Sequence, residues 1–219
     1  MRVGLSGGLD STVLLHLLAS LRPVLGFALA ATHVRHGLVA GSEAWADGCR
    51  TLCEALDVPF SVCDVEVERR HPGGLEAAAR AARRAALLGL GDDWLVLAHH
   101  RDDQAETVLF RAIRGAGVRG AAGMRACVPG NGEAGLWRPL LDVPRADLLA
   151  YAEAHSLDWI DDPSNADSRF SRNFLRNDVL PIVEARFPGA SKGFARLGRL
   201  CGEASGMLDE LAVIDLAAL

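Results

Sequence analysis

Two stretches of the chain carry residue types suited to phosphate and amine chemistry. The first is Ser6-Gly7-Gly8-Leu9-Asp10-Ser11, placed directly after a strand-length apolar run and directly before a helical stripe of Val13, Leu14, Leu17, Leu18 and Leu21. Two glycines let the backbone turn sharply and present several N–H groups, the serines add hydroxyl donors, and the following helix start contributes roughly half a positive charge. Such a nest binds phosphate or pyrophosphate. It lacks the lysine of a Walker loop, and Asp10 is instead suited to a Mg²⁺ that neutralises the oxyanions. The second stretch is Ala98-His99-His100-Arg101-Asp102-Asp103-Gln104-Ala105-Glu106-Thr107. Asp103 and Glu106 stand three apart, so a helix beginning here carries both on one face, which suits an amine. The bland function of acids in a first turn is to complement the helix dipole, worth roughly 0.3–1 kcal/mol.

The elements that position these residues follow a βαβ rhythm. Strand-length apolar runs lie at Arg2–Ser6, Val24–Ala31, Phe60–Val67, Trp94–Ala98 and Trp137–Leu141, with helical periodicity between most of them. Trp45, Cys49, Leu52, Cys53 and Leu56 form a second apolar stripe, and Leu75–Leu90, rich in Ala and Arg, reads as a third helix. This alternation predicts an α/β fold, a doubly wound parallel sheet of about five strands with its ligands beyond the carboxyl ends of the strands. Both chemical stretches follow strands. The Gly-rich segment from Ala121 to Gly135, with Val128-Pro129-Gly130-Asn131-Gly132, predicts a solvent-exposed loop. Beyond Pro188, the residues Phe194, Leu197, Cys201, Ala204, Leu208 and Leu211 form the seam of a long helix. We read residues 1–188 as the catalytic domain and 189–219 as a C-terminal helical extension, a linker or the start of a further domain, whose seam packs on that domain or on a second copy.

Composition narrows the setting. The 219 residues suit one α/β domain or one domain plus an attachment, and aromatics at 5% leave Ala, Leu and Val to build the core. With 23 Lys+Arg against 28 Asp+Glu, the net charge of −5 excludes a general basic coat, so a nucleic acid would meet local patches. Arg111, Arg114, Arg119 and Arg125 make one such patch, and Arg169, Arg172 and Arg176, spaced along one helix face, make another. The five cysteines include no Cys-x-x-Cys pair, which fits neither a disulfide framework nor a zinc ribbon, and Cys49 and Cys53 fall on an apolar stripe as packing residues. No apolar run reaches membrane-spanning length and no basic flank with a cleavage site opens the chain, so a cytoplasmic protein is expected.

The opening loop resembles the pyrophosphate loop of N-type ATP pyrophosphatases, the PP-loop superfamily, whose fold is that of adenine nucleotide alpha hydrolases. Three further stretches narrow the resemblance: His33-Val-Arg-His-Gly-Leu38; the run from Ala98 to Thr107 leading through Arg111, Arg114 and Arg119 to Gly123-Met124; and Arg138-Pro-Leu-Leu141 with Asp161-Asp-Pro-Ser-Asn165 and Arg172-Asn-Phe-Leu-Arg176. Together, from strand one to Pro188, they resemble the tRNA(Ile)-lysidine synthases. The resemblance implies a ligase that adenylates the C2 carbonyl oxygen of cytidine 34 in a tRNA(Ile) with a CAU anticodon. The ε-amine of L-lysine then displaces AMP at C2. It implies ATP as substrate with Mg²⁺, and ATP contacts from Ser6, Gly7, Gly8, Leu9, Asp10, Ser11 and His33. Asp103 and Glu106 are implied to contact lysine, and Arg80, in an Ala-Arg motif, to face ATP and the developing charge. At Arg84, where the family usually has tyrosine, the chain departs from the pattern. Arg111, Arg114, Arg172 and Arg176 are expected to touch the tRNA.

The attacking amine has a reference pKa of about 10.4, so something must take its proton. Asp103, Glu106 and His99 are all candidates on sequence. Two rivals stand beside this reading: a tRNA thiolase of the same fold, for which a paired catalytic cysteine is expected, and an ATP-binding module without turnover.

Overall fold

The computed structural model describes every residue except 36, 38–41, 69–73, 92–93 and 218–219. By its contacts the chain divides into two compact units, one of Met1–Ala98, Cys127–Pro139 and Ala146–Asp161, the other of His99–Ala126, Leu140–Arg145 and Asp162–Leu219.

The first unit is built on a six-stranded sheet of order β3-β2-β1-β4-β6-β5. The strands are β1 (Arg2–Gly4), β2 (Ala30–Arg35), β3 (Phe60–Asp64), β4 (Trp94–Val96), β5 (Cys127–Val128) and β6 (Gly135–Trp137). All pairings are parallel except that of β5 with β6. Helix α1 (Leu9–Leu25) packs on β1, α2 (Ser42–Ala55) on β2 and β3, and α3 (Gly74–Leu88) on β2; α6 (Arg145–Ala154) completes the set. Val34, Leu87, Leu95 and Leu136 form one buried cluster, drawing residues from three strands and α3. Strand order reverses between β1 and β4, and in open parallel sheets the crevice outside the carboxyl ends at such a reversal takes the ligand.

The parallel α/β architecture agrees with the sequence, while several boundaries move. The expected strand at Val24–Ala31 opens as helix and becomes strand only at Ala30: α1 continues past Pro23 to Leu25, and Gly26, at φ 68° in the left-handed region, closes it through a bond from its N–H to the Arg22 carbonyl. An apolar run fits either element, and Val24 is in fact 81% exposed on the helix end. The last parallel strand is Gly135–Trp137 instead of Trp137–Leu141, because Pro139 cannot donate to a ladder. The Gly-rich stretch expected as a loop folds back as an antiparallel edge, with Cys127 opposite Trp137 and Val128 opposite Leu136.

The second unit is helical. It contains α4 (Arg101–Ile113), α5 (Val118–Ala121), a 3₁₀ turn at Pro163–Ala166, α7 (Ser171–Phe174), a π-helical turn at Leu175–Val179, α8 (Leu180–Arg186) and α9 (Ala190–Ala217). The long α9 lies against α4 and α5, and it does so closely. A Cβ at Gly198 would stand 2.7 Å from Val108 Cγ2, so only glycine fits that crossing. Arg169 lies before α7 and not on a shared helix face with Arg172 and Arg176, since the chain is still turning there.

Candidate active site

The loop leaving β1 is laced by its own serines. Ser11 Oγ accepts from the Ser6 N–H at 3.2 Å, lies 3.0 Å from Ser6 Oγ and donates to the Gly8 carbonyl at 3.1 Å, while Ser6 Oγ accepts from the Gly8 N–H at 3.3 Å. Gly7 sits at φ +87°, and a Cβ there would lie 3.1 Å from both Cys49 Sγ and Ile160 Cδ1. Its carbonyl accepts from the Ile160 N–H at 2.9 Å, so the segment before Asp161 braces the turn. Gly8 is the N-cap of α1 in extended conformation and offers no side-chain cap. The first amides of α1 therefore keep the orphan donors and dipole that attract an anion. Asp10 stands in the first turn of the same helix.

Near this loop, His33 is 4% exposed at the close of β2, with Nδ1 2.9 Å from the Leu5 carbonyl and 3.7 Å from Cys49 Sγ. Its ring thereby fixes the backbone that enters the loop. Burial pushes the thiols of Cys49 and Cys53 up to about 12 and about 11, so both are packing groups and not thiolates. Arg80 lies on an exposed part of α3. His36 and Leu38 fall outside the described residues. Arg138, just after β6, is half-buried, and burial together with Arg84 lowers its pKa to about 10.

In the second unit, α4 opens with a reciprocal cap. His100, 1% exposed, accepts at Nδ1 from the Asp102 and Asp103 N–H groups at 3.2 and 3.4 Å, and Asp103 Oδ2 accepts from the His100 N–H at 3.1 Å. An Nδ1 that accepts leaves the proton on Nε2, which lies 3.4 Å from Asp103 Oδ2. Asp102 Oδ2 accepts from the Arg145 N–H at 2.9 Å, and the polar surroundings of His100 and Arg145 lower its pKa to about 2.

The helix brings Asp103 and Glu106 to one face, and Arg176 lies across both. Its Nε is 2.5 Å from Glu106 Oε1, and its Nη2 is 3.1 Å from Glu106 Oε2 and 2.7 Å from Asp103 Oδ1. Arg172 donates to Thr107 Oγ1 at 3.4 Å on the same side of α4. Glu106 is 1% exposed, and burial raises its pKa against the opposing pull of Arg176. A carboxyl so placed holds a proton more readily than an exposed one, as a general base near an amine must.

The remaining arginines divide by partner. Arg111 donates to the carbonyls of Gly120 and Gly123, both at 2.9 Å, so it ties α4 to the following turn. Arg114 stacks on Phe110 at 5.2 Å and is exposed, Arg119 pairs with Asp209, and Arg169 pairs with Asp167. Sequence reasoning missed the cap made by His100 and the grip of Arg176 on the acids. The His-x-x-Asp spacing was available for the first, whereas an ion pair across 70 positions has no local signature.

The mostly parallel sheet, the glycine turn at β1 and the uncapped start of α1 define an α/β protein with an anion-attracting turn at the carboxyl edge of its sheet. Residues 1–183 match the PP-loop domain model, and the chain belongs to that family. It is 56% identical over 216 residues to the tRNA(Ile)-lysidine synthase of Aromatoleum aromaticum, covering 99% of this chain and 51% of that one. It is 52% identical to the enzyme of the same name from Pseudomonas fluorescens, covering 98% and 49%. The chain spans about half the length of the curated relatives it matches. In fold it is similar to the U34-tRNA thiolase of Methanococcus maripaludis, solved with its 4Fe–4S cluster, at TM-score 0.75 and 22% identity over 92% of this chain and 71% of that one.

Proposed function

We propose that this chain performs the catalytic half of lysidine synthesis: ATP-dependent adenylation of cytidine 34 in tRNA(Ile), followed by lysine addition. The observation that carries this reading is the Asp103–Glu106 pair, Glu106 buried and Asp103 partly so, a seat for a cation in a chain with an intact pyrophosphate loop and relatives at 51–56% identity bearing that name. ATP places its phosphates on the amides of Leu9 to Ser11 that open α1, held by the turn through Ser6, Gly7 and Gly8. Asp10, one carboxylate beside two serine hydroxyls, suits a Mg²⁺ that takes its other ligands from phosphate oxygens and water. When bound, the ion supplies charge neutralisation.

The cytidine O2 bonds to the α-phosphorus as pyrophosphate leaves. The lysine nitrogen then bonds to C2, AMP leaves with the oxygen, and one proton passes to a base. Asp103 and Glu106 hold the ammonium, and the raised pKa of Glu106 favours it as acceptor. His99 remains a candidate for the proton path, and Arg80 is assigned to ATP by resemblance to the family. Arg111, Arg114, Arg172 and Arg176 are our assignments for the RNA backbone, although Arg111, Arg172 and Arg176 also bond within the protein. The thiolase reading is disfavoured because the sequence carries no Cys-x-x-Cys pair for sulfur chemistry. Among the described residues no helix is long and apolar enough to cross a membrane, and we place the protein in the cytoplasm with its tRNA. Residues 1–188 are proposed as the catalytic domain, with 189–219 as an extension that packs on a further domain or a second copy.

Incubation with ATP, Mg²⁺, lysine and a tRNA(Ile) transcript bearing CAU tests the reading. AMP release that requires both lysine and transcript is expected; ATP binding without lysine-dependent AMP would leave only a binding module.

A further inference from the structure

The acid pair on α4 already holds a cation, and that cation belongs to the chain. Arg176 takes both oxygens of Glu106 and Oδ1 of Asp103, while Asp103 Oδ2 is engaged by the His100 N–H. Glu106 is 1% exposed, so no surface remains on it for a second cation while Arg176 is in place. The Arg176 side chain itself is 38% exposed and reaches the acids from outside. It is mounted on the π-helical turn Leu175–Val179, a geometry that accommodates a shift of register more easily than a regular helix.

We infer that Arg176 is a displaceable stand-in for the substrate ammonium, so that lysine and Arg176 occupy the Asp103–Glu106 pair in alternation and the contest between them sets selectivity for lysine over simpler amines. The inference rests on the reading of this pair as the lysine seat. A buried carboxylate left without a partner is strongly destabilising, and Arg176 removes that penalty while the seat is empty of substrate. The forked guanidinium grips two oxygens at once, which a point-charge ammonium does not. A bare alkylamine therefore fails to dislodge it, whereas an amino acid that adds contacts through its α-ammonium and carboxylate succeeds.

Calorimetric titration of the chain with lysine and with n-butylamine, for wild type, Arg176→Ala and Arg176→Lys, tests this. A seat free only a tenth of the time costs its ligand about tenfold in apparent affinity, so Arg176→Ala is expected to bind lysine about tenfold more tightly and to bind n-butylamine measurably. Arg176→Lys, which keeps the charge and loses the fork, should fall between, and it carries the test if the alanine variant does not fold. Lysine binding that is unchanged or weaker in the folded variants would overturn the stand-in. A Glu106→Gln chain that binds lysine as wild type does would overturn the lysine seat itself, and the stand-in with it.

Discussion

Helices α1 and α4 follow β1 and β4, the two strands that flank the reversal of sheet order, yet their amino ends are finished in opposite ways. α1 begins at Gly8, which has no side chain to cap it, and α4 begins at His100, whose imidazole and Asp103 close a reciprocal box. The first leaves its orphan amides to an anion. The second satisfies them internally and turns its acids sideways onto a cation. One residue at the N-cap decides which sign of charge each helix start recruits. The anion seat presents backbone amides; the cation seat is made of side chains and depends on their charge.

The largest expected effect is at the cation seat. Glu106→Gln removes a buried charge and leaves Arg176 and the lysine ammonium without it, so lysine-dependent AMP release should fall about 100-fold or more, while ATP binding stays near wild type. A rate within a few-fold of wild type would remove the distinction between the two seats. Next comes Gly8→Asp. Gly8 lies at φ −76° and a Cβ there meets nothing closer than 3.6 Å, so the new side chain fits and caps α1. Its melting temperature should hold or rise, and ATP affinity should drop about tenfold or more as a carboxylate takes the amides. Gly7→Ala, by contrast, strains a positive φ and crowds Cys49 and Ile160, and should cost about 1–3 kcal/mol in denaturant titration.

His100→Ala opens the box on α4 and is expected to lower stability by about 1–2 kcal/mol, with little change in ATP affinity. The smallest effect concerns pH. The folded pKa of Asp102 is depressed to about 2, so its contribution to stability is present above the ordinary carboxylate value near 4 and is lost as pH falls through about 2. Asp102→Asn should flatten that part of the acid unfolding profile.

Much of this contrast was legible in the sequence. The loop motif between a strand and an apolar stripe located the glycine turn and the start of α1, and the spacing of Asp103 and Glu106 located the acids on one helix face. Strand limits were less legible, because an apolar run such as Val24–Ala31 satisfies a helix end or a strand alike until Gly26 is seen to cap α1. The β5 edge was hidden in a Gly-rich stretch because its pairing with β6 is a tertiary fact. The same holds for the pairing of Arg176, whose partners lie on a distant helix.

A crystal structure of the chain with ATP, Mg²⁺ and L-lysine tests the central claim most directly. The account predicts phosphate oxygens on the amides that open α1 and the lysine ammonium on Asp103 and Glu106. Phosphates bound elsewhere, with lysine absent from those carboxylates at saturating concentration, would contradict it.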